Sequence, residues 1–100
     1  MIVDNKSGRN RLYLGEHYPD IYFTQREIDC MVHLLQNKTL SEIASEIGLS
    51  KRTVEFYVRN MRYKLMVKRK KELIVKVQQS AFLDQIKLGI VHKIDKAFKD

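Results

Sequence analysis

Arg52, Glu55, Phe56, Arg59 and Tyr63 are separated by three, one, three and four residues, the spacing that gathers side chains on one side of an α-helix. With Val54 at zero and 100° per residue, Val58, Met61 and Leu65 fall within about 40° of it and form a buried face. Arg52, Phe56, Arg59 and Tyr63 then lie opposite, with Glu55 and Asn60 at the edges. A solvated helix face more often carries Lys and Glu. Arg, Asn, an acid and aromatics together suit the major groove, where a guanidinium holds guanine O6 and N7 and a carboxylate accepts from cytosine N4. Around them Lys51, Arg52, Lys64, Lys68, Arg69, Lys70 and Lys71, with the hydroxyls of Thr53 and Tyr57, are placed to hold phosphates, contacts that fix register and supply salt-dependent affinity without reading sequence.

The charge distribution agrees. The chain has 100 residues and net charge +7, which favours a polyanionic partner. Residues 51–76 hold ten basic and two acidic residues, whereas residues 1–50 come to −2 and residues 77–100 to +1. A basic cluster alone is usually a solvated surface; beside a groove-reading helix it becomes an electrostatic footprint.

Other chemistry finds no support. His17, His33 and His92 are far apart, with no Cys or His partner at ligand spacing, so no metal site is expected. No nucleophile motif, glycine-rich phosphate loop or paired-carboxylate signature occurs, and neither an enzyme nor a cofactor is expected. The only cysteine, Cys30, sits among apolar residues and reads as packing. No apolar run approaches a membrane span and the start lacks a signal-peptide pattern, so cytoplasmic residence is expected, with no membrane partner and no evident small-molecule ligand.

The elements that must position the basic helix follow from caps and periodicity. Residues 1–20 are expected to form an N-terminal arm with a short extended piece at Arg11–Leu14, punctuated by Gly8, Gly15 and Pro19. Thr24 and Glu27 form a capping box that opens a helix burying Ile28, Met31, Val32 and Leu35, with Asn37 as a left-handed stop. A short second helix opens near Thr39, buries Ile43, Ala44 and Ile47, and ends at Gly48. Ser50 caps the third, expected over about residues 51–65. A fourth follows Lys68–Lys71 and presents Leu73, Ile74 and Val77. Phe82, Leu83, Ile86, Ile90, Ile94 and Ala97 or Phe98 continue at helical spacing, interrupted by Gly89. With no strand-like alternation of any length, the fold class is all-α.

A helix-turn-helix needs a small residue where its helices cross, apolar flanks, a glycine able to adopt positive φ in the turn and a β-branched residue early in the second helix. Ala44, Ile43 and Ile47, Gly48, and Val54 meet these offsets.

These residues carry a family resemblance. Phe23-Thr24-Gln25-Arg26-Glu27, the stretch from Ser41 to Glu55, Arg62-Tyr63-Lys64-Leu65-Met66-Val67 and Glu72-Leu73 resemble, in order and spacing over about residues 21–78, the C-terminal DNA-binding domain of the LuxR family of bacterial transcription regulators. The resemblance implies a four-helix domain whose third helix enters the major groove and whose fourth forms a dimer contact, here through Leu73, Ile74 and Val77. It puts base contacts on Glu55, Phe56 and Arg59, and phosphate contacts near Ser50, Lys51, Thr53, Tyr57 and the loop before the fourth helix. The sequence departs from the family where Asn37, Met66 and Arg69 replace a glycine, a glycine and a small hydroxyl residue, where Tyr57 replaces a histidine, and where Glu55 replaces a residue that is often basic.

The resulting expectation is an arm (1–20), a LuxR-type helix-turn-helix domain (21–80) and an extra C-terminal amphipathic helix (81–100) that either folds back or extends the dimer. The partners are double-stranded DNA, a second copy of the chain and, for an activator, RNA polymerase. The alternative is a helix-turn-helix module that pairs with a larger regulator and modulates it.

Overall fold

The structure, a computed structural model, describes residues 11–87. It is helical apart from one small hairpin, the architecture expected of a LuxR-type helix-turn-helix domain. Strand β1 (Leu12–Tyr13) pairs antiparallel with β2 (Tyr22–Phe23), Leu12 opposite Phe23 and Tyr13 opposite Tyr22. Leu12 and Leu14 point into the core while Tyr13 faces outward, the two-residue alternation of a strand. The extended piece expected at Arg11–Leu14 is therefore present, but it is paired with β2 and anchored in the core by Leu12 and Leu14, and is not part of a loose arm. Three alternating residues are too short a pattern to stand out in a sequence. Residues 1–10 lie outside the described residues.

Helix α1 (Gln25–Leu34) opens on the expected capping box: the Thr24 hydroxyl accepts from the Glu27 amide at 3.4 Å, and Glu27 Oε1 accepts from the Thr24 amide at 2.9 Å. Ile28, Met31 and Val32 are buried, joined by Cys30 and Leu34, while Leu35 is the half-buried C-cap. Asn37 takes the left-handed conformation, φ 65°. Helix α2 (Leu40–Ile47) has a capping box of its own, from Thr39 and Glu42, and ends at Gly48 with φ 73°. A side chain on Gly48 would meet nothing within 4 Å, so glycine is needed there for its backbone conformation and not for space.

Helix α3 (Lys51–Lys64) is capped by Ser50 and buries Val54, Val58 and Met61, followed by buried Leu65. Helix α4 (Lys70–Gln78) starts after a turn containing Met66 at φ 58°. Arg69, its N-cap, provides no side-chain cap bond; instead Glu72 Oε1 accepts from the amides of Lys68 and Arg69, each at 3.1 Å. A capping acid thus replaces the missing hydroxyl.

Helix α5 (Phe82–Lys87) folds back on the hairpin. Phe82 and Ile86 are buried, the Phe82 ring meets Phe23 edge-on at 5.9 Å, the Ala81 amide donates to Leu14 O at 3.0 Å and Gln85 donates to Tyr13 O. The remainder of the helix expected at residues 81–100, including Gly89, Ile90, Ile94, Ala97 and Phe98, lies outside the described residues.

Met66 is 90% exposed, so its side chain adds no packing to offset a left-handed backbone that costs a non-glycine residue roughly 1–2 kcal/mol. Replacing it with glycine removes that strain at the cost of added freedom in the unfolded chain. Met66→Gly is expected to raise stability by about 0.5–1 kcal/mol, seen as a higher urea midpoint with an unchanged slope.

Candidate nucleic-acid interface

Helix α3 is anchored along its inner face, which fixes what its outer face displays. The Ser50 hydroxyl accepts from the Thr53 amide at 3.1 Å, and Val54, Val58 and Met61 are sunk in the core. Arg52, Glu55, Phe56, Arg59 and Tyr63 consequently face outward and are all exposed. Arg52, Thr53, Glu55, Phe56 and Arg59 line a shallow depression of about 410 Å³. Among the described residues the side chains of Arg52, Glu55 and Arg59 have no hydrogen-bond or ion-pair partner, so their donors and acceptors need not be released from internal bonds to meet a ligand.

A second depression, about 400 Å³, adjoins the first and is lined by Leu40, Glu55, Val58, Arg59, Arg62, Lys68 and Lys70. Arg62 Nη1 donates to Lys68 O at 2.8 Å, which latches the loop before α4 onto α3 and brings the cations of that loop beside Arg59. Lys70 is one of the lysines expected to hold phosphates, whereas Arg62 is not among the expected contacts. The available signal was the spacing of Glu55, Arg59 and Arg62, four then three residues, which extends one stripe along the helix toward that loop.

Of the expected phosphate contacts, Lys51, Arg52, Lys68 and Arg69 are exposed. The Ser50 and Thr53 hydroxyls lie 2.9 Å apart and are bonded to each other at the helix start. Tyr57 is half-buried against the core and its ring meets Phe56 at 5.6 Å, which props the Phe56 ring outward.

Lys64 points elsewhere. Its Nζ lies 2.7 Å from Glu27 Oε1, donates to Tyr22 O at 2.9 Å and sits over the Tyr22 ring. Glu27 is only 3% exposed, and a buried carboxylate needs a cation; Lys64 meets that need and is turned away from the basic face. The expected trio Leu73, Ile74 and Val77 is likewise redistributed. Leu73 and Val77 are fully buried within this chain's own core and Ile74 is half-buried, because the apolar stripe that makes α4 amphipathic is consumed in covering α3 and α5. Outward on α4, at positions four and three apart, are Lys71, Val75 and Gln78, all exposed.

Cys30 is wholly buried, and burial pushes its thiol from 9.0 up to about 12, with Asp29 adding to the effect. No helix among the described residues is long and apolar enough to cross a membrane.

Comparison with known proteins bears on this surface. Residues 22–77 match the family described as bacterial regulatory proteins, luxR family. The chain is 36% identical over 61 residues to the spore germination protein GerE of Bacillus subtilis (strain 168), an alignment covering 61% of this chain and 82% of that protein. The matched span runs from the second hairpin strand to the last turn of α4 and so contains both depressions.

Two outcomes follow from the geometry. Lys64→Met leaves Glu27 as an unpaired buried charge and is expected to cost about 3 kcal/mol of stability, while the salt dependence of DNA binding stays as in the unmodified chain; a reduced salt slope would return Lys64 to the phosphate contacts. Cys30 is expected to resist iodoacetamide at pH 8 in the folded protein and to react as a free thiol in denaturant. Because the folded thiol ionises later than the unfolded one, stability should decline as pH rises from 9.0 toward about 12.

Proposed function

The chain belongs to the luxR family of bacterial regulatory proteins, a family of DNA-binding transcription regulators and not of enzymes, and on that premise we propose that it is a sequence-specific regulator whose α3 reads the major groove of duplex DNA as part of a dimer. The observation that carries this reading is the outer face of α3: two arginines and an acid without partners among the described residues, and an exposed ring, on a helix held rigidly from behind.

Arg59, in the middle of that face, is the main base contact, its guanidinium donating to guanine O6 and N7, with Glu55 and Phe56 setting preference beside it. Lys51, Arg52, Thr53, Tyr57, Lys68 and Arg69, with Ser50 at the helix start, engage phosphates on both sides of the groove, and Arg62 and Lys70 extend that set along the second depression. Residues 21–80 form the reading unit, braced by the hairpin and α5. Such a protein works where bacterial DNA is, in the cytoplasm.

The dimer forms through the outward face of α4. Leu73 and Val77 have no surface to offer, whereas Val75 is 48% exposed between Lys71 and Gln78, with half-buried Ile74 at its margin. An exposed branched apolar side chain on a short helix, rimmed by polar residues, suits a small isologous contact in which each copy presents the same patch.

The test is selection of bound sequences from a random duplex library by the purified chain, then titration of the winner and a scrambled control at two salt concentrations. The winner should be palindromic, with half-sites about one helical turn apart. Arg59→Ala should cost about 1–3 kcal/mol on the winner and little on the control, whereas Lys51→Ala should weaken both and lower the salt slope by about 1. Equal losses on both duplexes for Arg59→Ala would remove its base-reading role. Val75→Asp should sediment as a monomer while keeping its fold by circular dichroism; a variant that still dimerises would place the contact elsewhere.

A further inference from the structure

Resting on the base-reading role proposed for α3, we propose that Glu55 makes the helix selective by rejection: its carboxylate admits the amino group of a cytosine beside the guanine read by Arg59 and repels major-groove edges that present only acceptors.

Glu55 is the sole acid of α3, Lys51–Lys64. It is exposed, has no partner among the described residues and borders both depressions. Arg52 precedes it by three residues and Arg59 follows by four. A carboxylate in that position opposes the attraction that brings the surface to a polyanion. Approach to the groove floor is favourable only where the partner donates a hydrogen to the carboxylate and sets no acceptor against its other oxygen, since a desolvated, unpaired charge is costly.

In the major groove only cytosine N4 and adenine N6 donate. Adenine carries the N7 acceptor beside its amino group, which repels the second carboxylate oxygen; cytosine carries C5–H there and does not. Guanine O6 and N7 and thymine O4 are acceptors and repel both oxygens. Cytosine is thus the base a carboxylate admits. Four residues along an α-helix rise about 6 Å, so Glu55 and Arg59 reach adjoining base pairs, and the cytosine lies within a step or two of the guanine. The flanking arginines keep the local charge positive, so the acid filters sequences without abolishing attraction. With no salt bridge to break among the described residues, the carboxylate's cost appears in full on a wrong site and is relieved on a right one.

The distinguishing signature is opposite changes on right and wrong DNA. In the library selection, the unmodified chain should enrich a cytosine next to the guanine whose preference disappears in Arg59→Ala. Glu55→Ala should bind that site roughly tenfold more weakly yet bind scrambled duplex several-fold more tightly, as repulsion is removed. Glu55→Gln should move the preference at that position to adenine, whose N6 and N7 match a carboxamide. Circular dichroism and melting should be unchanged in both variants, since Glu55 holds no other described residue in place. If Glu55→Ala tightened winner and scrambled duplex alike, or if the enriched site had no cytosine near the guanine, the acid would be a bystander and the inference overturned, while Arg59-dependent enrichment left base reading intact. If the unmodified chain enriched no sequence, this inference and the base-reading role would fall together.

Discussion

Glu27 carries its charge where water barely reaches, and the surrounding structure is organised around neutralising it. Its carboxylate takes the Thr24 amide at 2.9 Å and the Lys64 ammonium at 2.7 Å, and the same ammonium donates to Tyr22 O at 2.9 Å and lies 4.9 Å from the centre of the Tyr22 ring. The end of the hairpin, the start of α1 and the end of α3 therefore meet at one point. Removing either ion leaves the other desolvated, so the pair works as a geometric pin even if its net contribution to stability is small. With the last turn of α3 pinned and Val54, Val58 and Met61 buried, that helix cannot roll, and Arg52 and Arg59 have no direction but outward.

The other end of α3 is held by backbone chemistry. Gly48 turns the chain through a left-handed conformation, the Leu49 amide donates to Ala44 O at 3.0 Å, and Ser50 caps the first turn. A helix fixed at both ends presents its side chains with little orientational entropy left to lose on binding. That rigidity gives significance to the state of Arg52, Glu55 and Arg59, which have no partner among the described residues: the scaffold uses its internal hydrogen bonds for position and leaves these outer groups open.

Helix α4 shows how few faces a small domain has. Nine residues supply one apolar stripe, and a core this size needs it, so Leu73 and Val77 go inward and any contact with a second copy falls to the opposite side. The turn before α4 concentrates other compromises: Met66 holds a conformation suited to glycine, Arg69 occupies a cap position without capping, and Glu72 and Arg62 supply the bonds that keep the loop in place. The benefit is cations beside the α3 surface.

Much of this was legible in the residues. Thr24 with Glu27, Gly48, Ser50 and the stripe from Val54 to Leu65 are local signals: a cap or a 3.6-residue period involves neighbours within a turn or two, so sequence order alone specifies it. The outer face of α3 followed from the same geometry, because a helix with one apolar side has only one other. Tertiary structure decided the rest. Pairing of Leu12 with Phe23, diversion of Lys64 to Glu27 across 37 positions, burial of Leu73 and Val77, and the Arg62 latch that sets Lys68 and Lys70 beside Arg59 all depend on which segments meet in space. A lysine beside a basic helix and a lysine beneath it look alike in one dimension. Only the position of a buried carboxylate, set by the packing of distant segments, separates them.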